Sequence, residues 1–385
     1  MPCMGLSKCI PYPYSYIIQK PDPNVEWYEA YRDIGNKRYR QFQGSDAKTV
    51  IQNAIDALDA GGIFMKYAPY NFSDSAVIQD KKIKLWSDGA IINNNHATNP
   101  AFIIRSTSSF WDVEGSVIKG FQINGNASKA NNGVLIQDAI RVTLEDIDIA
   151  NTNIAVELKN VTSWSEANIL RNIYVSDALY GVKFTDGGSG HQSFDLTNIN
   201  HFIMNIYRSG AYGLYMADSH MNRGVINNFT TWHHADSCYG FYFADSTQPQ
   251  MINAFLGCVG FESFVTTPTA LYGIRMGSQP IYPYKAYFVG SFTSYVTGTT
   301  NNFIPTNCPQ WVNKNNGTGT ITAGNTYVDV THNLSITPDI TRISLIPKDN
   351  LNGKYLWISG SNSTSFRINI SSSDTVNHNI GWSYD

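Results

Sequence analysis

Cysteine is scarce in this chain of 385 residues. The five, Cys3, Cys9, Cys238, Cys258 and Cys308, are odd in number and include no CxxC pair. That spacing indicates neither a disulfide framework nor a zinc site, so the thiols are read as free, with a pairing of Cys238 and Cys258 kept open. Charge is also low: 15% of residues are charged, the net charge is −3, and no basic run stands out. Nucleic acid is therefore not expected as a partner. No apolar run reaches the length of a membrane span, and the first twenty residues lack the apolar stretch of a signal peptide. No cofactor or metal is indicated.

What the chain has is β-rich apolar content and aromatics. Hydrophobic residues make up 42%, aromatics 13%, and there are 23 Tyr. One phrase recurs: ALYGVKF at Ala178, AYGLYM at Ala211, CYGFYF at Cys238 and ALYGIRM at Ala270. Its glycines, Gly181, Gly213, Gly240 and Gly273, are 32, 27 and 33 residues apart. NGVLI at Gly133 and NIAVEL at Ala155 extend the frame upstream. Each phrase is a short apolar alternation, as a half-buried strand shows. A second short strand precedes most copies: LEDIDIA at Leu144, ILRNIYVS at Ile169, FIMNIYRS at Phe202 and NNFTTWHH at Asn227. No amphipathic helix fits between, and the steps are too short and uneven for propeller blades. An all-β, right-handed parallel β-helix remains, with insertions taken up in its turns.

Residues 1–43 are rich in Pro and Tyr and read as an extended arm, either an anchor or a wrap for the first coil. At 44–80, GSDAKTVIQNAIDALDAGG predicts a capping helix followed by the first strands. Ser45 or Asp46 caps it, Val50, Ile51, Ala54, Ile55 and Leu58 share one face, and Gly61-Gly62 ends it. Such a helix covers the raw end of the solenoid. The solenoid itself is expected over 81–295 and a linker over 296–316. Short alternating segments at 317–385 predict a small antiparallel β-sandwich.

The order Gly44, Asp46, Ile51-Gln52-Asn53-Ala54-Ile55-Asp56, Gly61-Gly62 and Tyr70 resembles the opening of pectate-lyase-superfamily β-helix proteins, phage tailspikes among them. The segment 317–385, with ITAGNTYVDVTHNL and a closing Trp382-x-Tyr384, resembles terminal modules of phage tail fibres. These resemblances imply an exterior protein and, for a tailspike, a homotrimer. They do not choose a chemistry, because the superfamily holds lyases, hydrolases and adhesins.

In the repeated phrase, Val182 and Phe184, Leu214 and Met216, Phe241 and Phe243, and Ile274 and Met276 should face the core. The residue between each pair then faces out and stacks into a column about 4.8 Å per step. The column reads Leu135, Glu157, Lys183, Tyr215, Tyr242, Arg275. Glu157, Lys183, Tyr215, Tyr242 and Arg275 are the candidate glycan-binding residues, since flat rings suit sugar C–H faces and charges bind hydroxyls or carboxylates. An ordinary stacked surface is the plainer alternative. Tyr180, Tyr212, Tyr239 and Tyr272 are read as packing at the turns, and the glycines after them as tight corners.

No catalytic residue is assigned. Asp146, Asp148, Glu157, Asp195 and Asp236 lie in the solenoid, but spacing pairs none of them across a scissile bond. Gly190-His191-Gln192 and Asn151-Thr152-Asn153 depart from polygalacturonase motifs, and the arginine-bearing motif of pectate lyases is absent. His233 and His234 should point to opposite faces of a strand. The leading expectation is an extracellular or virion-surface spike that recognises a host-surface polysaccharide. A polysaccharide lyase or glycoside hydrolase, and a purely structural spacer, stay open beside it.

Overall fold

The structure is a computed structural model. It describes residues 14–34, 37–186, 192–217, 219–244, 251–252, 255–277, 281–299, 302–304, 316–332, 338–362 and 364–384. The chain divides into two compact units, Met1–Asn307 and Cys308–Asp385.

The first unit is a parallel β-helix. Its chain alternates between two long sheets, adding one strand to each per coil. From the middle coils onward, one sheet stacks Thr143–Ala150, Ile169–Ser176, Asn198–Ile206, Val225–His233, Phe255–Ser263 and Pro283–Val289 in parallel. The other has nine strands, among them Val134–Gln137, Ile154–Asn160, Tyr180–Asp186, Tyr212–Met216, Tyr239–Phe243 and Tyr272–Met276. The repeated phrase is thus the strand of the nine-stranded sheet, and the segment before it supplies the facing sheet. Val182, Phe184, Leu214, Met216, Phe241, Phe243, Ile274 and Met276 are all buried, as their alternation requires.

The longer strands bend once per coil. The bend sits at Asp146, Asn172, His201 and Asn228, whose φ angles lie between 50° and 58°. Pairing steps over each: Glu145 faces Arg171 and Ile147 faces Ile173, with nothing paired between. Asp, Asn and His tolerate this left-handed conformation better than other side chains. The side chains also link along the column, Asn172 Nδ2 donating to Asp146 Oδ1 at 2.9 Å and His201 Nδ1 lying 2.8 Å from Asn172 Oδ1.

The helix is Ala47–Asp56, capped by Asp46, whose carboxylate accepts from Thr49 N at 3.0 Å. Val50, Ile51, Ala54 and Ile55 are fully buried. Gln52 closes the end of the nine-stranded sheet. Its amide accepts from Val77 N at 2.8 Å and donates to Val77 O at 3.0 Å, standing in for a further strand. Residues 14–44 join the sheet. Tyr16–Gln19 pairs in parallel with Ala60–Met65, and Tyr28–Ile34 runs antiparallel between Tyr16–Gln19 and Lys37–Gly44. Ile17, Ile18, Tyr28 and Ala30 are buried there. Residues 1–13 lie outside the described ones.

The second unit contains two antiparallel three-stranded sheets. One orders Asn316–Ile321, His378–Tyr384 and Ile343–Pro347; the other Tyr327–Thr331, Ser365–Ile370 and Leu356–Ser361. Strands of both contribute to one buried cluster, in which Trp382 meets Phe366 edge-on at 5.0 Å.

Candidate functional site

Pairing places the outward column in register. Leu135 faces Glu157, Glu157 faces Lys183, Lys183 faces Tyr215, Tyr215 faces Tyr242, and Tyr242 faces Arg275. Lys183, Tyr215, Tyr242 and Arg275 are half-buried. Glu157 differs: it is only 8% exposed, and its Oε1 accepts from Thr185 Oγ1 at 2.9 Å. A ligand would have to displace Thr185 to reach it.

A second column runs beside the first. Tyr180, Tyr212, Tyr239 and Tyr272 pair coil to coil, with ring centroids 5.1, 5.4 and 5.1 Å apart and nearly parallel planes. Tyr215 and Tyr242 stack likewise at 5.0 Å. The two columns meet edge-to-face: Tyr212 lies 5.2 Å from both Tyr215 and Tyr242, at 78° and 90°. Four tyrosines read as turn packing therefore belong to one patch with the two expected ligands. The signal that would have joined them is the phrase itself, which puts a Tyr three residues before each outward position on successive strands.

The ring spacing limits how a sugar could meet the columns. Carbon atoms in contact lie about 3.5–4.0 Å apart, less than the spacing between coils. Parallel rings 5.0 Å apart must therefore overlap with an offset, leaning against the solenoid axis. Because the columns are almost perpendicular to each other, they lean in opposite senses, as a herringbone. The surface presents ring edges, hydroxyls and strips of ring face rather than open platforms. Cations close the stack: Lys183 Nζ lies 4.9 Å from the Tyr180 centroid, and the Arg275 guanidinium 4.9 Å from that of Tyr242. Burial pushes the Tyr212 phenol up to about 12, with neighbouring phenols adding to it, and burial raises Tyr180 in the same direction. Both hydroxyls stay protonated and can donate as well as accept at neutral pH.

The carboxylates considered for catalysis are dispersed. Asp146 pairs with Lys119 at 3.2 Å. Asp195 accepts from Asn222 N at 2.7 Å. Asp236 is held to about 2 by bonds from the Thr269 hydroxyl and from the Thr269, Ser237 and Ala270 amides, the mark of a turn-forming residue. Asp148 is exposed at the surface, and the partial burial it does have raises its carboxyl. His233 is buried and His234 exposed, on opposite faces as expected; His234 stacks between Tyr207 and Phe264 at 4.5 and 4.7 Å. Gly190 and His191 lie outside the described residues. Cys238 is a buried free thiol and Cys258 a half-buried one. Among the described residues no cluster of His, Cys, Asp and Glu is arranged to hold a metal ion.

No family model matches the sequence, and no curated protein matches it. Solved structures with a similar course of chain include a mutant of the tailspike protein of E. coli bacteriophage HK620. It shares 7% identity at a TM-score of 0.49, over 88% of this chain and 90% of that one. ORF18 of Geobacillus virus E2 shares 13% identity at 0.43, over 89% and 82%. An alginate lyase from Paenibacillus sp. FPU-7 shares 12% at 0.39, over 66% and 96%. Likenesses this distant say nothing of the chemistry of this chain.

Proposed function

We propose that the protein is a virion-surface spike that recognises a cell-surface polysaccharide through the tyrosine patch. The observation that carries this reading is the pair of stacked columns, six tyrosines over four coils, closed by Lys183 and Arg275. From Lys183 to Arg275 the outward column spans three coil steps, about 14 Å, room for a few sugar units. Rows of phenol hydroxyls offer donors and acceptors to sugar hydroxyls, and ring edges and face strips offer apolar contact. The two cations favour an anionic glycan. Glu157 is left out of the contact surface because it is covered.

Tyr215→Ala with Tyr242→Ala is expected to weaken polysaccharide binding about tenfold or more while the fold persists, since truncated aromatic anchors typically cost more than 1 kcal/mol each. Lys183→Ala and Arg275→Ala should weaken it more at low salt than at high salt. Host-cell binding by the double Tyr variant at wild-type strength would reject the patch. Incubating the protein with the polysaccharide separates recognition from cleavage: new reducing ends or unsaturated uronates indicate an enzyme.

The spike reading carries a homotrimer with it. Tyr282, Tyr284, Val289 and Phe255, between 49% and 61% exposed on the last coils, supply apolar surface for association. Light scattering that returns the monomer mass at micromolar concentration would reject the trimer. Among the described residues no helix is long and apolar enough to cross a membrane.

A further inference from the structure

We infer that a second saccharide-binding site, separate from the tyrosine patch, lies on the turns that follow the nine-stranded sheet and takes an uncharged pyranose against the indoles of Trp111 and Trp164. The site follows from unequal turns. Phe102–Arg105 is followed by the long turn 106–116, Val134–Gln137 by the short turn 138–142, and Ile154–Asn160 by the longer turn 161–168. Stacked coils bring the three side by side, so the short middle turn is the floor of a groove and the others are its walls.

Aspartates hold both walls. Asp80 accepts from Thr107 N at 2.7 Å and from Ser106 Oγ at 3.0 Å. Asp138, only 2% exposed, accepts from Val161 N, Thr162 N and Ser163 N at 2.7, 3.1 and 3.0 Å. Each aspartate ties down a turn of a neighbouring coil, so the groove is formed before any ligand arrives.

Two contiguous clefts share Phe110. One, about 380 Å³, is lined mainly by Trp111, Trp164, Ile140 and Leu196; the other, about 340 Å³, by hydroxyls such as those of Thr107, Ser109 and Thr162. Both volumes are of the size that small ligands occupy. Trp111, Trp164 and Leu196 are 46%, 39% and 53% exposed. Single exposed apolar residues need no explanation, but three around one cleft do. An apolar wall beside a row of hydroxyls matches the two faces of a pyranose, C–H on one side and O–H on the other.

Charge selects an uncharged sugar. Arg141, the cation of the cleft, lies over Trp111 at 5.4 Å and is paired with Glu114. Glu166, beside it, accepts from Ser193 Oγ at 2.6 Å, and burial pushes its carboxyl up. A cation already paired with Glu114 and a carboxyl group already bonded by Ser193 do not demand a counter-charge from the ligand.

The test is an array of neutral and uronate- or sialate-bearing microbial oligosaccharides, probed with wild type, Trp111→Ala/Trp164→Ala and Tyr215→Ala/Tyr242→Ala, each first shown to melt as wild type does. Wild type should bind neutral oligosaccharides, the tryptophan variant should lose them at least tenfold, and the tyrosine variant should keep them. Trp111→Phe should restore part of the binding, because a ring remains. If the tryptophan double variant does not fold, Trp111→Ala alone serves, with the same loss expected. The inference is overturned if wild type binds no neutral oligosaccharide, or if removing the indoles leaves that binding intact. Loss in the tyrosine variant alone would support the patch and reject the cleft.

Discussion

Ile55→Asp is expected to lower stability by at least about 4 kcal/mol. Emptying a buried aliphatic site costs about 2–5 kcal/mol on its own, and the new carboxylate has no partner to offset its desolvation. Ile55 is fully buried in company with Val50, Ile51 and Ala54, on the one helical face that closes the solenoid. The protein has two ways to accommodate the charge, and both are costly. It can bury a protonated acid in an apolar gap, or lift the helix. Lifting breaks both hydrogen bonds from Gln52 to Val77 and bares the edge of Ala76–Gln79. An open parallel edge invites pairing with another chain, so self-association should accompany the lower melting temperature. Gln52→Ala separates the two effects. It leaves the apolar face intact, so its cost should stay near 1–3 kcal/mol, the penalty for orphaned backbone groups, while the tendency to associate rises. If Ile55→Asp melts at the wild-type temperature, the helix does not close the core.

How much of this was legible in the sequence depended on whether a residue belongs to the repeat. The sequence places Leu214, Phe241 and Ile274 in the core, and Tyr215, Tyr242 and Arg275 in one column, because strand alternation and a fixed phrase together determine face and register. The helix was legible for the same kind of reason: Ile51, Ala54 and Ile55 recur at helical spacing behind an Asp cap. The bend at Asp146, Asn172, His201 and Asn228 was not, because four side chains of three types share only a tolerance for positive φ, which no hydrophobic pattern reveals. Nor is the parallel pairing of Tyr16–Gln19 legible, since its partners, such as Ile63 and Phe64, lie far along the chain. Alternation places Glu157 in the column but does not reveal its burial, since Thr185, which bonds it, comes from the next coil. Trp111 and Trp164 sit in turns, where insertions break the period and nothing in spacing brings them together.

Gly240→Ala should cost about 3 kcal/mol, the upper part of the usual range for overpacking, and the reason differs from the one the sequence suggested. A glycine after each repeated tyrosine reads as a tight corner. Yet Gly181, Gly213, Gly240 and Gly273 are not among the positive-φ residues, so their backbone is open to any side chain. What excludes a side chain is the neighbour. A Cβ on Gly240 would lie 2.5 Å from the carbonyl oxygen of Gly273 and closer still to the ring of Phe261. On Gly213 it would meet Thr231 and the Gly240 carbonyl in the same way. The glycine column is therefore the recess that receives side chains of the facing sheet, and it lets successive coils approach at strand spacing. Real Cβ atoms essentially never come within 3.0 Å of such atoms, so the coil must shift or Phe261 must leave its place. Gly44→Ala is the control, because its Cβ would meet only Val50 at an ordinary 3.6 Å; it should change stability by no more than about 0.5 kcal/mol. Adding Phe261→Ala to Gly240→Ala should return part of the loss by clearing the ring, while the Gly273 carbonyl still obstructs. The two changes together should then cost less than the sum of each alone. Denaturant midpoints for the three variants and the double would show it. Equal midpoints for Gly240→Ala and Gly44→Ala would mean that the recess is not closed, and strict additivity with Phe261→Ala would mean that the ring does not fill it.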